Sequence, residues 1–145
     1  MTTKRVIRKQ HGFTLLESLF AAMLIGLVIT ALIASSAAFT MANAAGVDLS
    51  TAEFLIEEVR EKKATMEFAE IDLIPGVHIT PPKDMEDNDL NDFAAFTQVV
   101  TVLPVSETDF NSLAGTNSDF KKITVEIRKN GQIITEASWL RANLD

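Results

Sequence analysis

The stretch LFAAMLIGLVITALIASSAAF, residues 19–39, decides the fold of this chain because a helix formed by it would be apolar on nearly every side. Its length is about what an α-helix needs to cross a hydrocarbon core of about 30 Å. No charged side chain occurs in residues 18–47. Glu17 stands directly before this segment, and a carboxylate at the mouth of a membrane-length helix is costly to bury. The position of Glu17 therefore needs an explanation.

Beyond residue 48 the apolar pattern becomes amphipathic. Apolar residues recur at helical spacing, while acidic and basic residues occupy much of the remaining surface. The apolar positions are Leu49, Ala52, Ile56, Val59 and Met66. No proline occurs in residues 13–74, so the sequence predicts one nearly continuous helix from about residue 13 to about residue 66. Residues 57–63, rich in Glu and Lys, are expected to form its solvent-exposed face, and the opposite face must pack on the rest of the chain.

The residues after the helix predict a loop followed by a strand. Residues 71–93 are expected to be a loop, because Pro75-Gly76 and Pro81-Pro82 interrupt them. His78 is expected to lie in that loop. Apolar and polar residues alternate along residues 96–105, which predicts a strand that Pro104 would end.

The last part of the chain predicts a β-hairpin. Ile123, Val125 and Ile127 alternate with polar residues, and Asn130-Gly131 suits the two positive-φ positions of a type I′ turn. Residues 132–140 would return as the partner strand, with Trp139 packing on the core or at its edge. The sequence thus predicts an α+β fold, with a long N-terminal helix packed on a small antiparallel sheet of three or four strands.

Composition narrows the classes of function. The chain has 145 residues and a formal net charge of -7, which indicates one compact domain in addition to the apolar segment. It has no cysteine, so disulfides, thiolate nucleophiles and Cys-ligated metals are excluded. With only His11 and His78, and no Ser-His-acid grouping that spacing suggests, the chain is not expected to be an enzyme. An acidic body with only the small basic pair Lys121-Lys122 makes nucleic-acid binding an unfavoured function.

The first twelve residues are basic and polar. The cations are Lys4, Arg5, Arg8 and Lys9, and no acidic residue accompanies them. By the positive-inside rule, this segment would stay on the cytoplasmic side of a membrane. Its removal would change the formal net charge from -7 to -11.

The N-terminal residues resemble the type IV pilin-like superfamily, which includes minor pilins and type II secretion pseudopilins. The matching features are a basic leader that ends at Gly12, the sequence FTLLE at residues 13–17, and the apolar helix. The resemblance implies cleavage after Gly12 by prepilin peptidase, followed by N-methylation of Phe13. It divides the chain into three parts. Residues 1–12 are the leader, residues 13–47 are the transmembrane or filament-core half of the helix, and residues 48–145 are the globular head, which includes the amphipathic half of the helix.

The resemblance also implies a location and a set of partners. The chain would be stored in the bacterial inner membrane as a single-pass protein, with its N-terminus in the cytoplasm and its head outside. An inner-membrane assembly platform would then move it into a periplasmic or extracellular filament. There its helix would pack against the helices of other pilin-like subunits, with small residues allowing close contact. The small residues of the segment are Ala21, Ala22, Gly26, Ala31, Ala34 and Ala38.

This reading offers an explanation for Glu17. Processing would create a cationic amine at Phe13, and Glu17 of one subunit could neutralise the amine of its neighbour. A carboxylate in apolar surroundings is unfavourable, and a docked cation lowers that penalty. Glu17 and Phe13 are therefore the candidate assembly residues.

Two departures favour a minor pilin or pseudopilin over a main structural pilin. Ala34 stands where many pilins have a proline, whereas Gly26 matches a helix-loosening glycine that many filament-forming pilins carry. The absence of cysteine also excludes the C-terminal disulfide loop of many major pilins.

Three alternative readings remain open. Ala42, Asn43 and Ala44 resemble a signal-peptidase site, which would release a soluble secreted domain beginning at Ala45. The length of the apolar run and the presence of Glu17 argue against that reading. The chain could also be a plain single-pass membrane protein, or a minor pilin at a filament tip whose head binds a surface or cargo.

The acidic stretch DMEDNDLNDF, residues 84–93, raises the question of calcium. Asp87, Asp89 and Asn91 alternate as in the opening of a calcium loop and are the candidate metal-ligating residues. Asp92 stands where an EF-hand has its glycine, and Gln98 where it has a bidentate glutamate. A solvated acidic loop without a cofactor is therefore the favoured interpretation.

Overall fold

The computed structural model describes residues 13–144, which form one long helix and four strands. The predicted α+β architecture is confirmed. The elements are α1, Leu15–Thr65; β1, Ile74–Ile79; β2, Phe96–Pro104; β3, Phe120–Lys129; and β4, Gln132–Ala142, with short 3-10 helices at Phe68–Glu70 and Asn91–Phe93. The predicted leader, with Gly12 and His11, lies outside the described residues.

The chain divides into two compact units, Met1–Asn43 and Ala44–Asp145. In the first unit, every described residue is exposed. Its apolar stretch has a mean hydropathy of 2.3, and none of that stretch is buried. By length and composition, α1 is able to cross a membrane.

The second unit is built around an antiparallel sheet in the order β1-β2-β3-β4. Buried and exposed side chains alternate along β2 and β3, so one face of each strand is buried. The sequence predicts this alternation for residues 96–105 and for Ile123, Val125 and Ile127. Part of α1 packs on that face and forms one core with it. The buried members are Ala52, Leu55, Ile56 and Val59 from the helix, Ile71 after it, Phe96, Val100 and Val102 from β2, and Ile123, Val125 and Ile127 from β3.

The buried stripe of α1 differs from the predicted one. Leu49 was expected to face the core but is 42% exposed, whereas Leu55 is fully buried. Lys63, expected on the exposed face, is only 8% exposed. The reason is geometric: Leu55, Val59 and Lys63 follow one another at four-residue steps along one side of the helix.

The prediction of a loop at residues 71–93 was wrong for residues 74–79, which form β1 at the edge of the sheet. Pro75 is tolerated because an edge strand does not need every N–H for pairing. Gly76 has a φ of 114° and lies where the register with β2 shifts. This glycine permits a bulge whose backbone conformation would be strained for a residue with a side chain. His78 therefore lies in a strand, opposite Val99, and not in a loop.

The hairpin prediction is confirmed. Asn130 and Gly131 have φ values of 53° and 80°, and the flanking residues Lys129 and Gln132 pair with each other. The returning strand continues to residue 142, two residues beyond the predicted end. Trp139 is partly buried against the core, as expected.

Lys121 is a buried cation that stabilises the segment after α1. Its Nζ donates to the carbonyl oxygens of Phe68 at 2.8 Å and Ile71 at 2.6 Å. Its side chain is 8% exposed, and the ammonium lies 4.4 Å from the centroid of the Phe68 ring. The ammonium thus supplies a donor to the Ile71 carbonyl and a second donor to the Phe68 carbonyl, which also accepts the N–H of Ile71 at 3.3 Å.

Lys121→Met should therefore lower the free energy of unfolding by about 1–3 kcal/mol, because the Ile71 carbonyl loses its lysine donor, whereas the Phe68 carbonyl still accepts the N–H of Ile71. Urea unfolding of the detergent-solubilised full chain measures this. Lys122→Met is the matched control, since the Lys122 ammonium donates to the exposed side chain of Asn111 at 3.1 Å, and should change stability by less than about 0.5 kcal/mol. Equal effects of the two substitutions would contradict this role for Lys121.

Candidate functional site

The N-terminus of α1 is fixed by Thr14. Its Oγ1 accepts a hydrogen bond from the N–H of Glu17 at 3.2 Å, and its carbonyl oxygen accepts one from the N–H of Ser18 at 3.1 Å. Thr14 is thus the N-cap of the helix and Glu17 its N3 residue, an arrangement that forms one half of a capping box. Sequence reasoning missed Thr14, although the spacing T-x-x-E was the signal for it.

Glu17 is placed where a negative charge suits the helix. It lies in the first turn of α1, where the macrodipole favours a carboxylate. It is exposed and forms no ion pair with any residue in the range 13–144. Phe13, also a predicted site residue, is 83% exposed just before the helix. The pairing of Glu17 with a neighbouring amine stays a prediction, and Gly12 lies outside the described residues.

The helical surface that follows Glu17 is apolar and solvent-facing. Leu19, Leu24 and Leu32 are 67%, 64% and 64% exposed. Ala34 lies within uninterrupted helix. Gly26 also lies in the helix, and its carbonyl accepts a hydrogen bond from Thr30 Oγ1 at 2.8 Å. A helical segment that is apolar on nearly every side and exposed throughout residues 15–43 is suited to lipid or to a bundle of similar helices.

The acidic loop places the candidate calcium ligands beside lysines. The carboxylate of Asp87 pairs with Lys62, and that of Asp89 lies 3.5 Å from Lys83 Nζ. Asn91 Nδ2 donates to the backbone carbonyl of Asp89 at 3.4 Å. Within residues 13–144, no three or more His, Asp or Glu side chains come together as a metal site. Calcium binding by these residues stays a prediction.

Hydrogen bonds within the loop also act on its carboxyl groups. The side chain and backbone of Asn88 donate to Asp84 and lower the pKa of that carboxyl. The ammonium of Lys62 likewise lowers the pKa of Asp87. Both carboxylates therefore remain charged at neutral pH, and each has its main partners inside the second unit.

Gln98 holds this loop on the helix and the sheet. Its side chain is 1% exposed; Nε2 donates to the carbonyls of Leu55 at 3.2 Å and Lys83 at 3.0 Å. Its Oε1 accepts the N–H of Lys83 at 2.8 Å. Sequence reasoning considered Gln98 only as a neutral amide at a calcium-ligand position. Its role as a clamp depends on distant backbone groups, which no local pattern reveals.

A pocket of about 170 Å³ lies beside this clamp, between α1, β1, β2 and the acidic loop. Its lining residues are Val59, Lys62, Lys63, Ile74, Val77, Ile79, Lys83, Asp84, Asp87, Gln98 and Val100. Sequence reasoning could not predict this pocket, because β1, which supplies one wall, was expected to be a loop.

Comparison with known proteins identifies the N-terminal segment. The family model of the prokaryotic N-terminal methylation motif matches residues 7–33. No curated protein and no solved structure was found to match the chain. The matched segment contains Gly12, Phe13 and Glu17, and it opens the long apolar helix. The chain thus has the N-terminal motif of type IV pilin-like proteins, and the resemblance noted from the sequence is confirmed.

Proposed function

We propose that this chain, which carries the N-terminal motif of type IV pilin-like proteins, is a minor pilin or pseudopilin of a type IV pilus or type II secretion-like filament. It is cleaved after Gly12 by prepilin peptidase, N-methylated at Phe13, and assembled through residues 13–47. The observation that carries the proposal is the methylation motif at residues 7–33, which opens a helix whose apolar residues 15–43 are all exposed. Its partners are the peptidase and methyltransferase, like subunits and an inner-membrane assembly platform.

In the first step, the apolar half of α1 stores the subunit in the inner membrane. The basic leader keeps the N-terminus in the cytoplasm, so the head lies on the other side. The exposed leucines and isoleucines of the segment face lipid in this state. The head keeps its own core, whose members all come from residues 52–127.

In the second step, processing creates the positively charged amine with which Glu17 of a neighbouring subunit pairs. The new amine of Phe13 lies close to the N-terminal end of α1, where the helix dipole disfavours a cation. When the Glu17 carboxylate of the neighbouring subunit pairs with this amine, the unfavourable position of the amine is offset. The cost of burying the carboxylate in apolar surroundings falls as well. The pairing favours one axial offset between subunits, because only that offset brings the amine of one chain beside Glu17 of the next.

In the third step, the apolar helices pack into a bundle that replaces lipid. Burial in the bundle covers side chains that are more than half exposed in the single chain, such as Leu19 and Leu32. Small residues such as Ala31 allow the helix backbones to approach closely. The heads then lie at the periphery, where their acidic surface is solvated.

A second candidate function is a soluble secreted domain released after Ala44. One observation supports this second function. The compact unit Ala44–Asp145 begins next to the cleavage position and contains every core residue identified among the described residues. Such a product would retain its fold without the apolar helix. It would lack residues 1–44, which include the apolar segment, and could not enter a helical bundle.

A cross-linking experiment separates these two functions. The chain has no cysteine, so Ala31→Cys introduces a single reactive thiol in the apolar helix. Because the axial offset keeps residue 31 of neighbouring subunits too far apart for a direct disulfide, a filament subunit should instead give a covalent dimer when assembled material is treated with a flexible bismaleimide cross-linker. Asn117→Cys, in the exposed part of the head, is the comparison variant. Loss of the residue-31 thiol from the mature protein would instead identify the secreted domain.

A further inference from the structure

The pocket beside the Gln98 clamp contains a buried lysine that forms no ion pair with any carboxylate of residues 13–144. Lys63 lines it and is 8% exposed. The only hydrogen bond of its ammonium to another residue in the described part of the chain is to the thioether sulfur of Met66 at 3.8 Å. Burial lowers the pKa of this lysine. A buried ammonium is normally paired with a carboxylate or bonded to several oxygens, and Lys63 is not.

The other charged groups of the pocket already have partners. Lys62 pairs with Asp87, and Lys83 binds the Asp87 carbonyl and the Asp89 carboxylate. Asp84 accepts hydrogen bonds from the N–H groups of Glu86 and Asn88 and from the Asn88 side chain. Lys63 is therefore the lysine of the pocket that contacts no carboxylate of residues 13–144 directly. Asp72 and Asp87 act on its charge only at longer range, so a carboxylate bound in the pocket could pair with it.

The rest of the pocket is apolar. Its walls are formed by Val59, Ile74, Val77, Ile79 and Val100. Its volume of about 170 Å³ is close to that of an engineered apolar cavity of about 150 Å³ that binds benzene. The space thus suits a group the size of one aromatic ring or a branched aliphatic side chain.

We infer that this pocket binds a monocarboxylate that carries one compact apolar group, with the carboxylate on Lys63 and the apolar group against Ile74, Val77 and Ile79. The ligand is either a free aromatic acid or the C-terminal residue of another chain, since both present the same chemistry. A doubly charged phosphate fits less well, because one unpaired ammonium faces it and the walls are apolar. The inference does not depend on the proposed filament function, which rests on residues 7–33.

The test is a titration of the full chain in nanodiscs of zwitterionic lipid, followed by the methyl NMR signals of Ile74 and Ile79. Benzoate should shift these signals and bind at least about 10-fold more tightly than benzamide, its neutral analogue, which corresponds to about 1.4 kcal/mol or more. The peptide Gly-Gly-Phe and its C-terminal amide form a second pair of probes. Tighter binding of the peptide acid identifies a chain end as the ligand, and tighter binding of benzoate identifies a free acid.

Two variants assign the effect to the pocket. Lys63→Met should abolish the preference for benzoate over benzamide, whereas Lys122→Met, outside the pocket, should preserve it. If Lys63→Met does not fold, Val77→Phe provides the test, because Val77 lies on the edge strand with 46% exposure and a larger side chain there fills the space. That variant should weaken benzoate binding at least about 10-fold. Equal binding of acid and amide, or an unchanged preference in the variants, would overturn the inference.

Discussion

Glu17→Gln should reduce incorporation of the subunit into filaments at least about 10-fold without changing the stability of the head. Removal of one partner from a buried ion pair is strongly unfavourable, by about 3–5 kcal/mol, because the other charge is left uncompensated. Glutamine has about the same size as glutamate, so a loss of incorporation can be assigned to the loss of the negative charge. The measurement compares the amount of the variant in sheared or purified filaments with the amount that stays in the membrane.

The capping arrangement at Thr14 makes this test decisive. Glutamine serves as well as glutamate at the N3 position of a capping box, and Thr14 Oγ1 accepts from the backbone of residue 17, not from its side chain. A purely structural role for Glu17 would therefore tolerate the substitution. Glu53→Gln, on an exposed part of α1, is the matched control and should assemble normally. Wild-type incorporation of Glu17→Gln would reject the charge-pairing hypothesis.

Gln98→Leu should lower the free energy of unfolding of the head by about 3 kcal/mol or more. The substitution leaves the carbonyl and the N–H of Lys83 without their side-chain partner, and the Leu55 carbonyl, which lies inside α1, loses only its second donor. Unsatisfied buried polar groups cost about 1–3 kcal/mol each. Hydrogen exchange should also rise at the backbone of residues 83–89, because Gln98 connects this loop to α1 and β2.

Urea unfolding and hydrogen exchange of the full chain measure both effects. Gln132→Leu is the control, since Gln132 is the exposed first residue of β4, and its effect should stay within about 0.5 kcal/mol. A Gln98→Leu chain with unchanged stability and unchanged exchange would show that the loop is held by other contacts, such as the pairing of Lys62 with Asp87.

The elements that the sequence predicted well are those with strong local signals. The helix was expected from about residue 13 to about residue 66 and is observed as Leu15–Thr65, because no proline interrupts it. The Asn130-Gly131 turn requires two positive φ angles, which these residue types supply most readily. In both cases the residues that carry the signal are neighbours in the sequence.

The elements that were missed depend on contacts between distant residues. Pro75 and Gly76 indicated a loop, yet pairing with β2 makes this segment an edge strand that accepts both residues. Gln98, Lys63 and Lys121 are polar residues in buried positions. The partners of Gln98 and Lys121 are backbone groups 15 to 53 residues away, so single-sequence reasoning assigned these side chains to solvent or to other roles.

The candidate processing site shows the opposite relation between sequence and structure. Gly12, Phe13 and Glu17 were found from the sequence alone, because an enzyme and a neighbouring subunit would recognise them as a linear motif. The structure adds the Thr14 cap and the exposure of the apolar helix. Both features define the surface that a membrane or a filament would have to cover.

The most direct test of the filament account is the intact mass and N-terminal sequence of the mature protein, purified from membranes of cells that contain the processing peptidase. The account predicts a chain that begins at N-methylated Phe13. A Gly12→Val variant should keep Met1, because a side chain at the residue before the cleaved bond would obstruct the peptidase. A wild-type chain that begins at Ala45, or that retains Met1 in those cells, would contradict the account.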